Sequence, residues 1–67
     1  MHTYYENGTW KNRIEGGVRA SNVVRRRTDA VLAGRSMARK RRVDHLIHAP
    51  DGPVESAKTF RIVARSG

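Results

Sequence analysis

The stretch Arg27-Thr28-Asp29-Ala30-Val31-Leu32-Ala33-Gly34-Arg35-Ser36-Met37-Ala38-Arg39-Lys40-Arg41 decides the fold. Ala30, Val31, Gly34, Met37 and Ala38 recur at spacings of one, three and four, which lays a single apolar stripe along a helix. The spacing predicts a helix over about Arg27 to Arg41, with Thr28 as N-cap and Asp29 favouring the positive end of the dipole. Gly34 in mid-helix costs about 1 kcal/mol against alanine, so a return is expected: close approach of the helix to a sheet, over Trp10.

On either side of this helix the pattern changes to extended chain. Thr3-Tyr4-Tyr5 and Thr9 to Ile14 are rich in aromatic and β-branched residues, and Asn7-Gly8 between them suits a tight hairpin turn. Trp10, Asn12 and Ile14 share one face of the second strand, while Lys11 and Arg13 point away. Glu15-Gly16-Gly17 is a further turn signal, and Val18 to Val24 reads as a third strand or as the long side of a bulged hairpin. After the helix, Val43 to His48 reads as a strand, Ala49-Pro50-Asp51-Gly52 as a turn and Val54 to Ile62 as a weaker strand. The expected architecture is α+β: a small antiparallel β-sheet of three to five strands with one helix on one face, in the order β-β-(β)-α-β-β.

Sixty-seven residues hold one small basic domain, 1–67, with a tail expected to fray from about residue 63. There is no cysteine, which excludes disulfides, thiolate nucleophiles and cysteine metal sites. The N-terminus lacks the basic-then-apolar order of a signal peptide, and no stretch approaches the ~20 apolar residues of a membrane span. A cytoplasmic protein that meets no membrane is expected.

The formal charge is +8, and seven of the fourteen lysines and arginines bracket the helix: Arg25, Arg26 and Arg27 before it, Arg39, Lys40, Arg41 and Arg42 at its end. On a 3.6-residue wheel Arg35, Arg39 and Arg42 fall in one sector, a spacing that suits successive phosphates. The C-terminal group complements the helix dipole. Arg25 to Arg27 oppose it, so folding alone gives no reason for them. The ordinary fate of such runs is a solvated face. Arg41 falls near the centre of the apolar stripe and must fray or lay its stem over the core edge.

Other groups point to no chemistry. His45 and His48 sit three apart in a strand and face opposite ways, so they share no metal, and no cofactor is expected. Tyr4, Tyr5 and Trp10 read as a cross-strand cluster, and Leu32 as a singly exposed leucine or a dimer seam. Asn7-Gly8-Thr9 matches a glycosylation sequon by chance. The six acidic residues are scattered and suggest no catalytic constellation, so an enzyme is not expected.

Several short motifs occur together in a telling order. Gly17-Val18-Arg19-Ala20-Ser21-Asn22-Val23 leads to Ala30-Val31, Gly34-Arg35 and Met37-Ala38-Arg39, then Leu46-Ile47-His48 and Asp51-Gly52. From Tyr4 to Phe60 the chain resembles the short bacterial and phage proteins grouped as domain of unknown function 2188, with their Gly-x-x-Arg-Ala-Ser turn, Ala-rich helix and His-Gly-x-Asp-Gly hairpin. The resemblance implies the β-β-α-β order and no activity. It departs at Arg26, where the family has a capping Thr, at His45, where it has an apolar residue, and at Ala49, where it has Gly. Asp29, Ser36 and Arg39 replace Glu and Lys, which leaves this chain more basic than the pattern.

The leading expectation is a small accessory protein that binds DNA or RNA through backbone phosphates with little sequence specificity. The residues expected to carry it are Arg25, Arg26, Arg27, Arg35, Arg39, Lys40 and Arg42, with Lys11 and Arg13 as extensions of the patch. The alternative is a protein–protein interaction module or homodimer with no nucleic-acid role.

Overall fold

The computed structural model describes residues 1–17 and 20–60. Val18 and Arg19 in the expected third strand, Ile62 at the end of the expected last strand and the expected frayed tail lie outside the described residues. Among the described residues, five strands and one helix follow one another as β1 (His2–Glu6), β2 (Thr9–Arg13), β3 (Asn22–Val24), α1 (Arg27–Arg41), β4 (His45–His48) and β5 (Val54–Lys58). They form one sheet in the order β3-β2-β1-β4-β5 with α1 across one face.

The β1–β2 hairpin turns at Asn7 and Gly8, with φ of 50° and 82°. Two consecutive positive φ angles match the right-handed twist of the strands they join, which is why Asn-Gly stands here. The register pairs Tyr5 with Trp10 and Thr3 with Asn12, and the Tyr5 and Trp10 rings lie 5.4 Å apart. β3 is only three residues long, so the stretch expected as a strand from Val18 to Val24 pairs at Asn22–Val24.

The sheet is mixed rather than antiparallel throughout. β4 lies beside β1 and runs parallel to it, with His2 opposite Leu46 and Thr3 opposite Ile47. The helix carries the chain back over the sheet, so the strand after it re-enters in the direction of β1, the geometry of a crossover connection. β5 then closes the far edge antiparallel to β4.

Small residues let α1 lie close. Ala30, Gly34 and Ala38, four apart, are the buried helix positions. Beneath them the sheet presents not only Trp10, Ile47 and Met1 but three fully buried polar side chains: Thr3, Asn12 and His45. These satisfy one another. The Thr3 hydroxyl donates to Asn12 Oδ1, and Asn12 Nδ2 donates to Asn22 Oδ1 and to the Ala30 carbonyl, both at 2.8 Å. Because the Thr3 proton is already used, its oxygen accepts the 2.6 Å bond from His45 Nε2–H. That assigns the His45 tautomer and leaves Nδ1 as a bare lone pair. Gly34 therefore packs over Thr3, Asn12 and His45, not over Trp10 as expected: a Cβ there would press on Asn12 Oδ1 and stand 2.6 Å from Thr3 Oγ1 and 2.8 Å from His45 Nε2.

The helix ends at Arg42, whose φ of 57° and ψ of 47° put a non-glycine residue in the left-handed region. Its N–H and that of Val43 bond back to Arg39 and Ala38 carbonyls, the pattern of a glycine-type C-cap. Arg42→Gly is therefore expected to stabilise the fold by about 0.5–1 kcal/mol, measured as a rise in the urea midpoint with unchanged slope.

Candidate nucleic-acid interface

The helix begins without a side-chain cap. Arg26 is the N-cap residue, extended at φ −100° and ψ 136°, and its carbonyl accepts the first helical bond, from Ala30 N at 3.1 Å. Thr28, the expected cap, instead stands exposed inside the first turn, two residues too late to reach the orphan N–H groups. The first-turn amides and the positive end of the dipole are left without a side-chain cap, with Asp29 the acidic residue of the first turn.

The three arginines at this end are not equivalent. Arg27 forms an ion pair with Glu55 of β5, and its guanidinium lies 5.6 Å from the Trp10 ring centroid, so the fold itself uses it. Arg25 and Arg26 are exposed and pair with no carboxylate among the described residues.

The expected stripe of Arg35, Arg39 and Arg42 comes apart. Arg35 is half-buried with its Nε enclosed, close enough to His45 to act on its charge. The Arg39 guanidinium stands 5.5 Å from the Phe60 ring centroid, and Arg42 has left the helical path through its left-handed φ. Lys40 and Arg41 are exposed on the last turn, so Arg41, not among the residues expected to carry the interface, adds to the basic surface there. What remains is two basic groups rather than one stripe: Arg25 and Arg26 at one end of α1, Lys40 with Arg41 and Arg42 at the other. Fifteen helical residues at ~1.5 Å each set them roughly 20 Å apart.

Lys11 and Arg13 do not extend this surface. β2 buries Trp10 and Asn12 under the helix, so its alternate residues point to the opposite face of the sheet. There Lys11 pairs with Glu6 at 2.8 Å, and the Arg13 guanidinium lies 5.3 Å from the Tyr4 ring centroid. The Lys11 ammonium, donating to Glu6, holds that carboxyl below its ordinary range, and the same bond raises Lys11.

The open face also carries an arrangement absent from the sequence-based list. His2 donates from Nε2 to Glu15, its Nδ1 lies 2.9 Å from His48 Nε2, and His48 Nδ1 donates to the Gly52 carbonyl at 2.8 Å. The His2 bond and charge hold the Glu15 carboxyl below the usual carboxylate range. This group borders an open cleft of about 540 Å³ whose walls include Tyr4, Lys11 and Arg13. His45 is indeed turned to the other face, buried under the helix. Its burial, reinforced by the Arg35 guanidinium and the Met1 amino group, pushes it down to about 4.

The sheet order, the crossover helix and the bare helix N-terminus define a small two-layer α+β protein. The chain matches, over residues 1–60, the family described as uncharacterized proteins conserved in bacteria, domain of unknown function 2188, and it belongs to that family. Searches of curated proteins and of solved structures found no match. Among the described residues no helix is long and apolar enough to cross a membrane.

Proposed function

We propose that this chain is a small cytoplasmic accessory protein that binds DNA or RNA through backbone phosphates, as a binding module rather than a catalyst. The observation that carries the reading is the pairing of Arg25 and Arg26, which meet no carboxylate among the described residues, with a helix N-terminus that has no side-chain cap among them. Their charge opposes the dipole and so weakens the isolated fold; an arriving phosphate would satisfy both the arginines and the uncapped amides. The second basic group, roughly 20 Å away, suits the far bank of a groove ~12 Å wide. No aromatic ring interrupts the basic runs, which supports backbone contact over base stacking.

The test is a binding titration against duplex and single-stranded nucleic acid over a range of salt. Binding should weaken steeply as salt rises. In Arg25→Gln/Arg26→Gln the log–log slope on duplex DNA should be shallower by about 1.8, ~0.9 for each lost phosphate contact. Lys11→Gln/Arg13→Gln, on the opposite face, should leave the slope unchanged. A salt-independent curve, or no complex at micromolar protein, rejects the proposal. A competing reading, a homodimer or protein-binding module, draws on Leu32, 60% exposed, and on the wholly exposed edge strand β5. A mass measurement showing a dimer that covers Arg25 and Arg26 would favour it.

A further inference from the structure

We propose that His2 and His48 form a binding site for one divalent transition-metal ion of the zinc or nickel type, on the sheet face opposite α1. The parallel pairing of β1 with β4 creates it. His2 lies opposite Leu46, so His48, two residues on, is its diagonal neighbour on the same face. The two inner ring nitrogens, His2 Nδ1 and His48 Nε2, stand 2.9 Å apart.

Each outer nitrogen is already anchored. His2 Nε2 is held by the Glu15 carboxylate and His48 Nδ1 by the Gly52 carbonyl. A metal-binding imidazole needs this support: an acceptor on the far N–H fixes the tautomer, aims the near lone pair and raises its basicity. One carboxylate and one carbonyl, on two histidines from different strands, supply it twice.

A proton count sharpens the point. Glu15 and the Gly52 carbonyl only accept, so His2 Nε2 and His48 Nδ1 both carry hydrogen. The bond between the rings needs one proton more. A metal bonded to both inner nitrogens would sit to one side of the line between them, in place of that bridging proton. Binding is then an exchange in which the ion bonds both inner nitrogens and one proton leaves to solvent.

The spacing fits such an ion with little movement. Two nitrogens at ~2.0–2.1 Å from a metal lie about 2.9 Å apart for a right-angle arrangement and about 3.3 Å for a tetrahedral one. The remaining positions open on the cleft bordered by Tyr4 and Arg13 and would take water or an anionic ligand. Among the described residues no cluster of three or more metal-binding side chains occurs, so affinity should be modest and positions should stay free for exchange.

The experiment titrates the tag-free full chain with Zn²⁺, then Ni²⁺, by calorimetry at neutral pH, with imidazole resonances followed by NMR. Saturable one-to-one binding at sub-millimolar metal is expected, moving the His2 and His48 rings while the buried His45 ring stays in place. His48→Gln should lower affinity at least tenfold with the fold retained by circular dichroism. No binding overturns the proposal. So does binding unchanged in His48→Gln, since that locates the ion on His2 and the amino terminus alone. Should His48→Gln fail to fold, Glu15→Gln decides instead: its side chain is 75% exposed, and loss of the anchoring carboxylate should weaken binding about tenfold. Unchanged affinity there also overturns it.

Discussion

Gly34→Ala should leave the protein largely unfolded at 25 °C, although alanine is the better helix former. Two effects compete. Helix propensity favours alanine by about 1 kcal/mol at this position. Against it, the new methyl would overlap Asn12 Oδ1 and meet Thr3 Oγ1 and His45 Nε2 at distances no carbon tolerates. These atoms cannot swing aside, because they are bonded to one another and to the Ala30 carbonyl and all three residues are fully buried. Either α1 lifts from the sheet or the polar network breaks and leaves unpaired buried groups at about 1–3 kcal/mol each. A loss of roughly 3 kcal/mol or more follows, comparable to the whole stability of a domain this small. Thermal and urea unfolding followed by circular dichroism measure it. Ser36→Ala, exposed on the same helix, is the control and should be neutral or slightly stabilising. A Gly34→Ala protein as stable as the parent would show that the helix does not bear on this network.

The second large effect is acid lability centred on His45. Its ordinary value is 6.5 and in the fold it is pushed down to about 4, first by burial and then by the Arg35 guanidinium and the Met1 amino group. A lowered value means that the unfolded chain binds the proton more readily than the native one. The contribution to stability is therefore full above about pH 6.5 and is lost as pH falls from there towards 4. The most it can remove over that window is about 3 kcal/mol, at ~1.4 kcal/mol per unit. The structural reason is the assigned tautomer. Nε2–H already donates to Thr3, so a second proton must go on Nδ1, which is buried with no partner among the described residues. Unfolding free energy measured at several pH values should decline through this range, and His45→Gln should flatten the decline whatever it does at neutral pH. The surface pairs Glu6–Lys11 and Glu15–His2 act in a separate window: both carboxyls are lowered from 4.5, so their contributions are lost only below that value. An equally steep slope in His45→Gln would assign the lability elsewhere.

Much of the local structure was legible in the chain. The stripe of Ala30, Gly34 and Ala38 marked the helix, and Asn7-Gly8 marked the hairpin, because both signals act through neighbours in sequence. Gly34 was recognisable as a point of close approach, but what it approaches was not. Thr3, Asn12 and His45 come from three strands, two of which meet only through the parallel pairing. The candidate interface was half legible. The charge bracket was in the sequence, while the helix wheel could not know that Arg42 turns left-handed, that Glu55 captures Arg27 or that Arg35 faces the core edge. His2 and His48 are 46 residues apart, and no spacing rule joins them.

By itself, then, the sequence determined where the helix and the strands form, the close approach at Gly34 and the excess of positive charge at the helix ends. These follow from periodicity, turn chemistry and charge, whose reach is a few residues. Tertiary structure alone decided that β4 runs parallel to β1, and with it the polar layer beneath Gly34 and the histidine pair on the other face. The reason is physical: strand neighbours are chosen by which faces can be buried together when the crossover helix folds down, and that choice depends on contacts across the whole chain.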